Sequence, residues 1–148
     1  MMTSISEVME TMFFLPLEEK EGSNVEEVLG SGSLHACTIS FTGAFTGTMA
    51  LVAQEPLLLA MTENFMGETR ESLGQTDLEE TLQEALNMIA GNCFSKVDPD
   101  SVVDLGVPQI ENTLDHTLFQ GHLVVVTTEG MLAALSTLTG TSRNPKGS

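Results

Sequence analysis

The sequence has 148 residues, a usual size for one domain, and its 41% of apolar residues are enough to build a packed core. Five basic and 21 acidic residues give a formal net charge of −16, which argues against nucleic acid and anionic membranes as partners. The sequence has no apolar run of about 18 residues, and no basic segment leads into an apolar stretch at its N-terminus. We therefore expect a cytoplasmic protein without a membrane span or a signal peptide.

The two cysteines, Cys37 and Cys93, lie far apart and outside any Cys-x-x-Cys pair. This usage is typical of buried, reduced thiols in a cytoplasmic protein. The three histidines, His35, His116 and His122, are scattered and do not have the spacing of metal ligands. We therefore predict that the chain holds no metal ion and no cofactor of its own.

The first predicted helix runs from Ile5 to about Phe14. Ser4 and Glu7 have the spacing of a capping box, in which two side chains satisfy free backbone N–H groups at a helix start. Pro16 ends the helix, because a proline disfavours helical geometry at the residue before it. The apolar stripe of this helix consists of Ile5, Val8, Met9 and Met12.

Two stretches have the composition of loose segments. Residues 18–33 mix acidic residues with glycines, and residues 141–148 form a polar tail. Neither is a linker that divides the chain, and no internal repeat is present. We therefore predict one domain over residues 1–148, with an acidic, glycine-containing loop at 18–33 and a mobile tail at 141–148.

A predicted hairpin follows the acidic loop. Leu34–Phe41 alternates between two faces as a strand does, and Thr46–Ala53 returns beside it after a short connection. The second helix is then predicted over Leu57–Met66. Pro56 suits the first turn of this helix, and Gly67 suits its C-terminal end.

The remaining elements are a long helix and three strands. The helix runs from Asp77 to about Phe94, and strands are predicted over Val102–Val107, Leu118–Thr128 and Met131–Leu138. Glu129-Gly130 forms the tight turn of the last hairpin. The resulting order, α-ββ-α-α-βββ, predicts an α+β fold with one mostly antiparallel sheet and helices packed on a face.

The third helix has two distinct faces when it is wound at about 100° per residue. Thr76 and Glu79 have capping-box spacing at its start, and Asp77 adds a favourable negative charge there. The apolar face is an ordinary core-facing stripe. Its members are Leu78, Leu82, Ala85, Leu86, Ile89 and Cys93.

The opposite face of this helix holds Glu80, Glu84, Asn87 and Gly91. Glu84 and Asn87 are three residues apart, so they are neighbours on the helix surface. Asn and Gly disfavour a helix interior by roughly 0.5–1 kcal/mol each relative to Ala. The choice of these residues on an outer face is typical of a docking surface.

Met88 and Phe94 flank this polar face outside the core stripe. Semi-exposed apolar residues beside polar ones favour the docking interpretation. An ordinary solvated face is the alternative, in which Met88 and Phe94 pack under a neighbouring loop. The residue pattern by itself leaves both interpretations open.

The segment Glu84-Ala-Leu-Asn87-Met-Ile-Ala-Gly91-Asn92, with Pro108 downstream, resembles the signature of the CheC, CheX and FliY phosphatases of bacterial chemotaxis. That signature is a Glu, two residues, an Asn and then a Pro further along the chain. The resemblance extends to the element order over about residues 4–139. Glu80 stands where the family usually has Asp or Ser, and the spacing from Asn87 to Pro108 is slightly short. Only one such motif is present, so the chain most resembles CheX.

The resemblance implies a phosphatase that hydrolyses the aspartyl phosphate of a CheY-type response regulator in chemotaxis signalling. An acyl phosphate is already reactive, so the phosphatase needs mainly to position water for attack. The carboxamide of Asn87 suits this role because it adds no negative charge beside the phosphate. Glu84 is expected to form an ion pair with a lysine of the regulator. The regulator is expected to supply Mg²⁺.

Glu80, Met88, Gly91 and Phe94 are predicted to form the docking surface around the two catalytic residues. Gly91 would leave room beside Asn87, and the two apolar residues would contact the regulator. The resemblance further implies a homodimer joined through sheet edges. The alternative function is a non-catalytic adaptor of the same fold that binds a response regulator or a flagellar switch component.

Overall fold

The structure is a computed structural model, and it describes residues 2–12, 18–19, 25–30, 32–97, 100 and 102–141. The helices are α1 (Met2–Met12), α2 (Val25–Leu29), α3 (Glu55–Met66) and α4 (Gln75–Val97). The strands are β1 (Glu18–Glu19), β2 (Leu34–Gly43), β3 (Phe45–Gln54), β4 (Val103–Leu105), β5 (Gln109–Glu111), β6 (Gly121–Val126) and β7 (Met131–Thr141). Single turns of 3₁₀ helix lie at Arg70–Ser72 and His116–Leu118.

Within the described residues, seven strands form one sheet in the order β1-β6-β7-β3-β2-β4, and β5 also pairs with β2. Every pair of neighbouring strands is antiparallel. Both predicted hairpins, β2–β3 and β6–β7, are present. The predicted α+β class and its order, α-ββ-α-α-βββ, are therefore confirmed, with three short elements added.

The main core lies between one face of the sheet and helices α1, α3 and α4. It contains Cys37, Ile39 and Phe41, three of the four residues on one of the two faces that alternation predicts for β2; the fourth, His35, is half-buried. A smaller apolar cluster lies on the opposite face of the sheet. Helix α2 covers part of that cluster with the fully buried Val28.

Residues 18–33, predicted as a loose loop, contain β1 and α2. Strand β1 pairs with β6, and α2 is held by Val28 in the second cluster. A five-residue helix with one buried valine has too little apolar periodicity to be recognised in an acidic sequence. Of the predicted tail, Thr141 ends β7 and residues 142–148 lie outside the described residues.

Helix α1 begins at Met2, earlier than predicted, so Ser4 lies inside the helix and the predicted Ser4–Glu7 capping box is wrong. Ser4 is instead buried against the core. The predicted end of this helix, at Phe14 before Pro16, lies outside the described residues. The described part of the apolar stripe is buried, and it consists of Ile5, Val8 and Met9.

Helix α4 begins at Gln75, two residues before the predicted start. The predicted Thr76–Glu79 capping box is therefore wrong, because Thr76 lies inside the first turn. The backbone N–H of Gly74 donates instead to Oδ2 of Asp77 at 2.9 Å. Asp77 thus satisfies a free N–H at the helix start, as the acidic member of a capping box does.

Helix α3 begins at Glu55, two residues before the predicted start, and ends at Met66 as predicted. Pro56 lies in its first turn, and Gly67 ends it in the left-handed conformation with φ of 68°. Glycine adopts this conformation without steric cost, and its N–H donates to the carbonyl oxygen of Glu63 at 2.9 Å. This stop places Phe65 and Met66 at the end of α3, beside α4.

A bulge interrupts the edge of the sheet next to β2. Strand β4 pairs Leu105 with Phe41, whereas β5 pairs Gln109 with Thr38. Three edge residues, 106–108, therefore lie opposite only two residues of β2. One extra residue on one strand defines a β-bulge, which bends the strand and redirects its side chains.

The bulge accounts for one error in the strand prediction. The strand predicted over Val102–Val107 ends at Leu105, because the bulge begins at Gly106. Strand β5, beyond the bulge, was not predicted. The strand predicted over Leu118–Thr128 is also shorter than expected, since β6 begins at Gly121 after a 3₁₀ turn.

Among the described helices, we find none with the length and apolar content needed to cross a membrane.

Candidate functional site

The outer face of α4 carries the predicted catalytic residues. Glu80, Glu84 and Asn87 are exposed, and Gly91 is half-buried. The opposite face is packed in the core, with Leu78, Leu82, Ala85, Leu86 and Ile89 buried. A packed helix holds its outer side chains in a fixed direction, so the core determines where Glu84 and Asn87 point.

Glu84 and Asn87 line a groove of ≈ 580 Å³, which we call the Asn87 groove. Helix α4 forms one side with Glu80, Gln83, Glu84 and Asn87. The other sides are formed by Phe65 and Met66 of α3 and by Gly106, Val107 and Pro108 of the bulge. The groove is large enough to admit a protruding segment of another molecule.

The bulge is anchored on both sides of Val107. The N–H of Gly106 donates to the carbonyl oxygen of Ser40 at 2.8 Å. Nε2 of Gln83 donates to the carbonyl oxygen of Pro108 at 2.9 Å. The second bond joins the bulge to α4 next to Glu84, so it fixes the distance between the two sides of the groove.

Neither Glu84 nor Asn87 makes a side-chain hydrogen bond or an ion pair with another described residue. The carboxamide of Asn87 therefore keeps both its acceptor oxygen and its donor NH₂ for an external molecule. The charged residues that line the groove are both acidic, Glu80 and Glu84. A groove with this lining attracts a cationic group of a partner.

Met88 and Gly91 line a second groove, which lies between α1 and α4 and has a volume of ≈ 440 Å³. We call it the Asn92 groove. Oε2 of Glu7 accepts a hydrogen bond from Nδ2 of Asn92 at 3.2 Å, and Oε1 of Glu7 pairs with Nζ of Lys96 at 2.9 Å. Lys96 and then Asn92 lower the pKa of the Glu7 carboxyl. These contacts tie α1 to the C-terminal half of α4.

Phe94 is directed toward the core. Its ring lies 4.7 Å from that of Phe41 and 5.9 Å from that of Phe45, measured between centroids. The side chain is half-buried and packs against the main core. The structure thus brings Glu80, Glu84 and Asn87 into one groove and places the other predicted docking residues elsewhere on α4.

Five residues of the Asn87 groove were not predicted as site residues: Phe65, Met66, Gln83, Gly106 and Val107. Gln83 precedes Glu84 directly, but nothing in the sequence identifies its partner 25 residues away. Phe65 lies at the end of an apolar helix, so the sequence alone does not distinguish its exposed ring from the buried residues of that helix. Val107 was assigned to a strand, although the Gly-Val-Pro sequence could have indicated an interruption there.

No three His, Cys, Asp or Glu side chains come together as metal ligands in the part of the chain that the structure describes. Cys37 is buried in the main core, and burial raises the pKa of its thiol to about 12, with a smaller contribution from the Glu111 carboxylate. A thiol of this kind is a poor nucleophile and a poor metal ligand.

Comparison with known proteins identifies the family. A family model described as chemotaxis phosphatase CheX matches residues 35–129, which is more than half of the 148-residue chain. The chain belongs to the CheX family. The matched span contains every residue of the Asn87 groove, from Phe65 to Pro108. No curated protein matches the sequence.

Solved structures of CheX-family and related proteins share the fold of this CheX-family chain. CheX from Vibrio vulnificus aligns with a TM-score of 0.74 at 19% identity, over 93% of this chain and 92% of that one. CheX in a CheX-CheY-BeF3-Mg+2 complex from Borrelia burgdorferi aligns with a TM-score of 0.64 at 14% identity, over 94% and 95%. FliY from Thermotoga maritima aligns with a TM-score of 0.58 at 14% identity, over 90% and 82%. At these identities the likeness establishes the fold.

Proposed function

We propose that this protein is a phosphatase that hydrolyses the aspartyl phosphate of a CheY-type response regulator. The observation that carries the proposal is the carboxamide of Asn87. It is exposed, it makes no side-chain hydrogen bond with the described residues, and it lies in a groove on a rigid helix of a CheX-family fold. Membership of the family and the complex of a similar CheX with CheY support this substrate.

The phosphatase itself forms no covalent bond in this reaction. A water oxygen attacks the phosphorus, the bond from phosphorus to the aspartyl oxygen breaks, and the products are the free carboxylate and inorganic phosphate. The work lies in placing the water in line with that bond. The oxygen of the Asn87 side chain would accept a hydrogen bond from the water, and its NH₂ would donate to a phosphoryl oxygen.

Glu84 is proposed to bind rather than to act as a base. A carboxylate beside the phosphoryl group would repel it, whereas an ion pair with a lysine of the regulator would orient the two proteins. Glu80 lies on the same side of the groove and adds to its attraction for a cation. The Mg²⁺ of the reaction would come from the regulator, where it would offset phosphoryl charge.

The test is the rate of phosphate loss from a chemotaxis-type response regulator phosphorylated on its aspartate. We expect Asn87→Ala to lower kcat by about 100-fold or more, since it removes a group that acts on the reacting atoms. Its affinity for a beryllofluoride-activated regulator should stay close to the wild-type value. Asn112→Ala, which truncates an exposed asparagine outside the groove, is the matched control.

A wild-type rate for Asn87→Ala would overturn the catalytic assignment. Binding of the regulator without faster dephosphorylation, in the wild-type protein, would favour the adaptor function instead. Glu84→Gln should raise the KM for the regulator more than it lowers kcat, because the ion pair forms on docking. The opposite pattern would place Glu84 in the chemical step.

We further propose that the protein acts in the cytoplasm as a homodimer, with one Asn87 groove in each subunit. The resemblance to CheX supports joining through sheet edges. Light scattering coupled to gel filtration measures this directly. A mass near 15.8 kDa at assay concentration would contradict the dimer and leave the catalytic proposal intact.

A further inference from the structure

Among the residues that the structure describes, exposed large apolar side chains are few, and two of them line the Asn87 groove. Val107 is 79% exposed and Phe65 is 37% exposed. They come from different elements, since Val107 lies in the bulge and Phe65 at the end of α3. Water contact with a large aliphatic side chain is unfavourable relative to burial, so apolar side chains exposed together in a groove favour contact with a partner.

The geometry around Val107 favours a use. Its neighbours in the chain are both anchored, Gly106 to Ser40 and Pro108 to Gln83. Pro108 also has a restricted backbone. The segment 106–108 therefore has little conformational freedom. A side chain held in place, such as that of Val107, binds at a lower entropic cost than one on a loose loop.

The groove has a polar side and an apolar side. Glu80, Glu84 and Asn87 occupy the α4 side. Val107 and Phe65 occupy the other sides. A partner that fills the groove must therefore present a cationic group and an apolar side chain close together.

We infer that Val107, with Phe65 beside it, is an apolar anchor that selects the response regulator. The surface it fits is one in which a lysine or arginine lies next to an exposed aliphatic or aromatic side chain. The apolar side adds binding energy to that of the ion pair at Glu84, whereas the chemistry is confined to Asn87 on α4. This inference rests on the proposed function, because it names the chemistry of the partner that the same groove receives.

Two variants of Val107 test the anchor. Val107→Ser removes apolar area, and Val107→Asp adds a negative charge to an already acidic groove. We expect the KM for the phosphorylated regulator to rise about tenfold with serine and further with aspartate, because losing a buried valine contact weakens affinity by about one order of magnitude. The value of kcat at saturating regulator should change by less than about twofold. Asn87→Ala should give the opposite pattern.

The chain offers matched controls. Val102 is 73% exposed and lies in the same edge of the sheet, and Leu118 is 71% exposed in a distant 3₁₀ turn. Neither residue lines the groove. We expect Val102→Ser and Leu118→Ser to keep the wild-type KM. A rise in KM for these variants equal to that of Val107→Ser would overturn the anchor.

Gln83 supplies a second, independent test, because it anchors the bulge from the α4 side of the groove and is not part of the apolar side. Gln83→Met keeps the length of the side chain and removes the donor to Pro108. We expect a rise in KM smaller than that of Val107→Ser. Gln75→Met is its control, since Gln75 also donates a side-chain bond on α4, to Glu79 at 3.1 Å, and neither residue lines the groove.

The outcomes separate this inference from the proposed function. Wild-type catalysis with an unchanged KM in both Val107 variants overturns the anchor alone. If the wild-type protein binds the regulator without dephosphorylating it, the catalytic proposal fails, and the dissociation constants of the same variants decide the anchor. Absence of binding by the wild-type protein to any CheY-type regulator overturns both.

Discussion

Asn87 and Gly91 occupy positions in α4 where an ordinary helix would carry better helix formers. Together they disfavour the helix by roughly 1–2 kcal/mol relative to two alanines. The fold itself gives no reason for Gly91, because a methyl group there would lie 4.0 Å from Cδ1 of Leu105, an ordinary contact distance. We therefore attribute the presence of both residues to contact with a partner protein.

Gly91→Ala tests this reasoning at a single residue. We expect the free energy of unfolding to rise by about 0.5–1 kcal/mol, since alanine favours the helix and meets no steric obstacle. Dephosphorylation of the regulator should slow if the regulator approaches α4 closely one helical turn beyond Asn87, where the methyl group would stand. Urea unfolding and single-turnover assays measure the two effects. Full activity in a stabilised variant would show that the space is not needed.

Cys37 provides a prediction about pH. Burial raises the pKa of its thiol from 9.0 to about 12 in the folded protein, so the folded state holds this proton where the unfolded state loses it. The contribution of Cys37 to stability is thus fully present below about pH 9 and is lost as the pH rises toward about 12.

The measurement is urea unfolding of the wild-type protein and of Cys37→Ser between about pH 8 and about pH 11, in the window set by that pKa. Stability of the wild-type protein should fall more steeply over this range. Iodoacetamide should also react with Cys93, which is half-buried, before Cys37. Equal labelling of both thiols in the folded protein would contradict the assignment.

The elements that form the Asn87 groove meet because of where they end. Helix α3 ends at Gly67, α4 packs against β2 and the edge strands β4 and β5, and the bulge is joined to α4 through Gln83. Local sequence predicts the first two elements well, since Pro56, Gly67 and the apolar stripe of α4 are strong signals. It does not predict the bulge, because a one-residue change of register is defined only by pairing with β2.

The pairing of β3 with β7 leaves no room for a side chain at Gly47. The register of this pair shifts between Thr46 and Gly47, and a methyl group on Gly47 would overlap the carbonyl oxygen of Thr137 and lie 2.9 Å from Cζ of Phe41. We expect Gly47→Ala to destabilise the protein by about 1–3 kcal/mol or more. Thermal unfolding of Gly47→Ala and of Gly91→Ala measures this, because the first variant is expected to lower the melting temperature and the second to raise it. Equal melting temperatures would contradict the packing argument.

At the scale of the whole molecule, sequence reasoning identifies the class of fold and the working face of α4 but not the opposing sides of the groove. Periodicity predicts which face of a helix is outward, and the outward positions of Glu84 and Asn87 agree with it. Phe65 and Val107 are 42 residues apart, and their approach depends on tertiary packing that no local pattern records. The predicted starts of α1 and α4 were wrong because the Ser/Thr-x-x-Glu spacing at Ser4 and Thr76 indicates that a helix begins nearby but does not determine the first residue.

The net charge of −16 predicts how association depends on salt. If the regulator docks a cation in the acidic groove, attraction between the two proteins weakens as ions screen it. We expect the KM to rise several-fold between about 0.05 M and about 0.5 M salt, with kcat nearly constant. The double variant Glu80→Gln/Glu84→Gln should flatten this dependence. A salt-independent KM in the wild-type protein would mean that docking is apolar throughout.

The one-residue shift between β4 and β5 means that chain length, as well as residue type, shapes the groove. Deletion of a single residue within 106–108 would let the edge strand pair with β2 in one continuous register. The ridge that carries Val107 would then flatten, whereas Gln109 and the rest of β5 would keep their partners on β2 and therefore their faces of the sheet. A change in which regulator this protein accepts could thus arise from one lost codon, with every residue of the α4 helix unaltered.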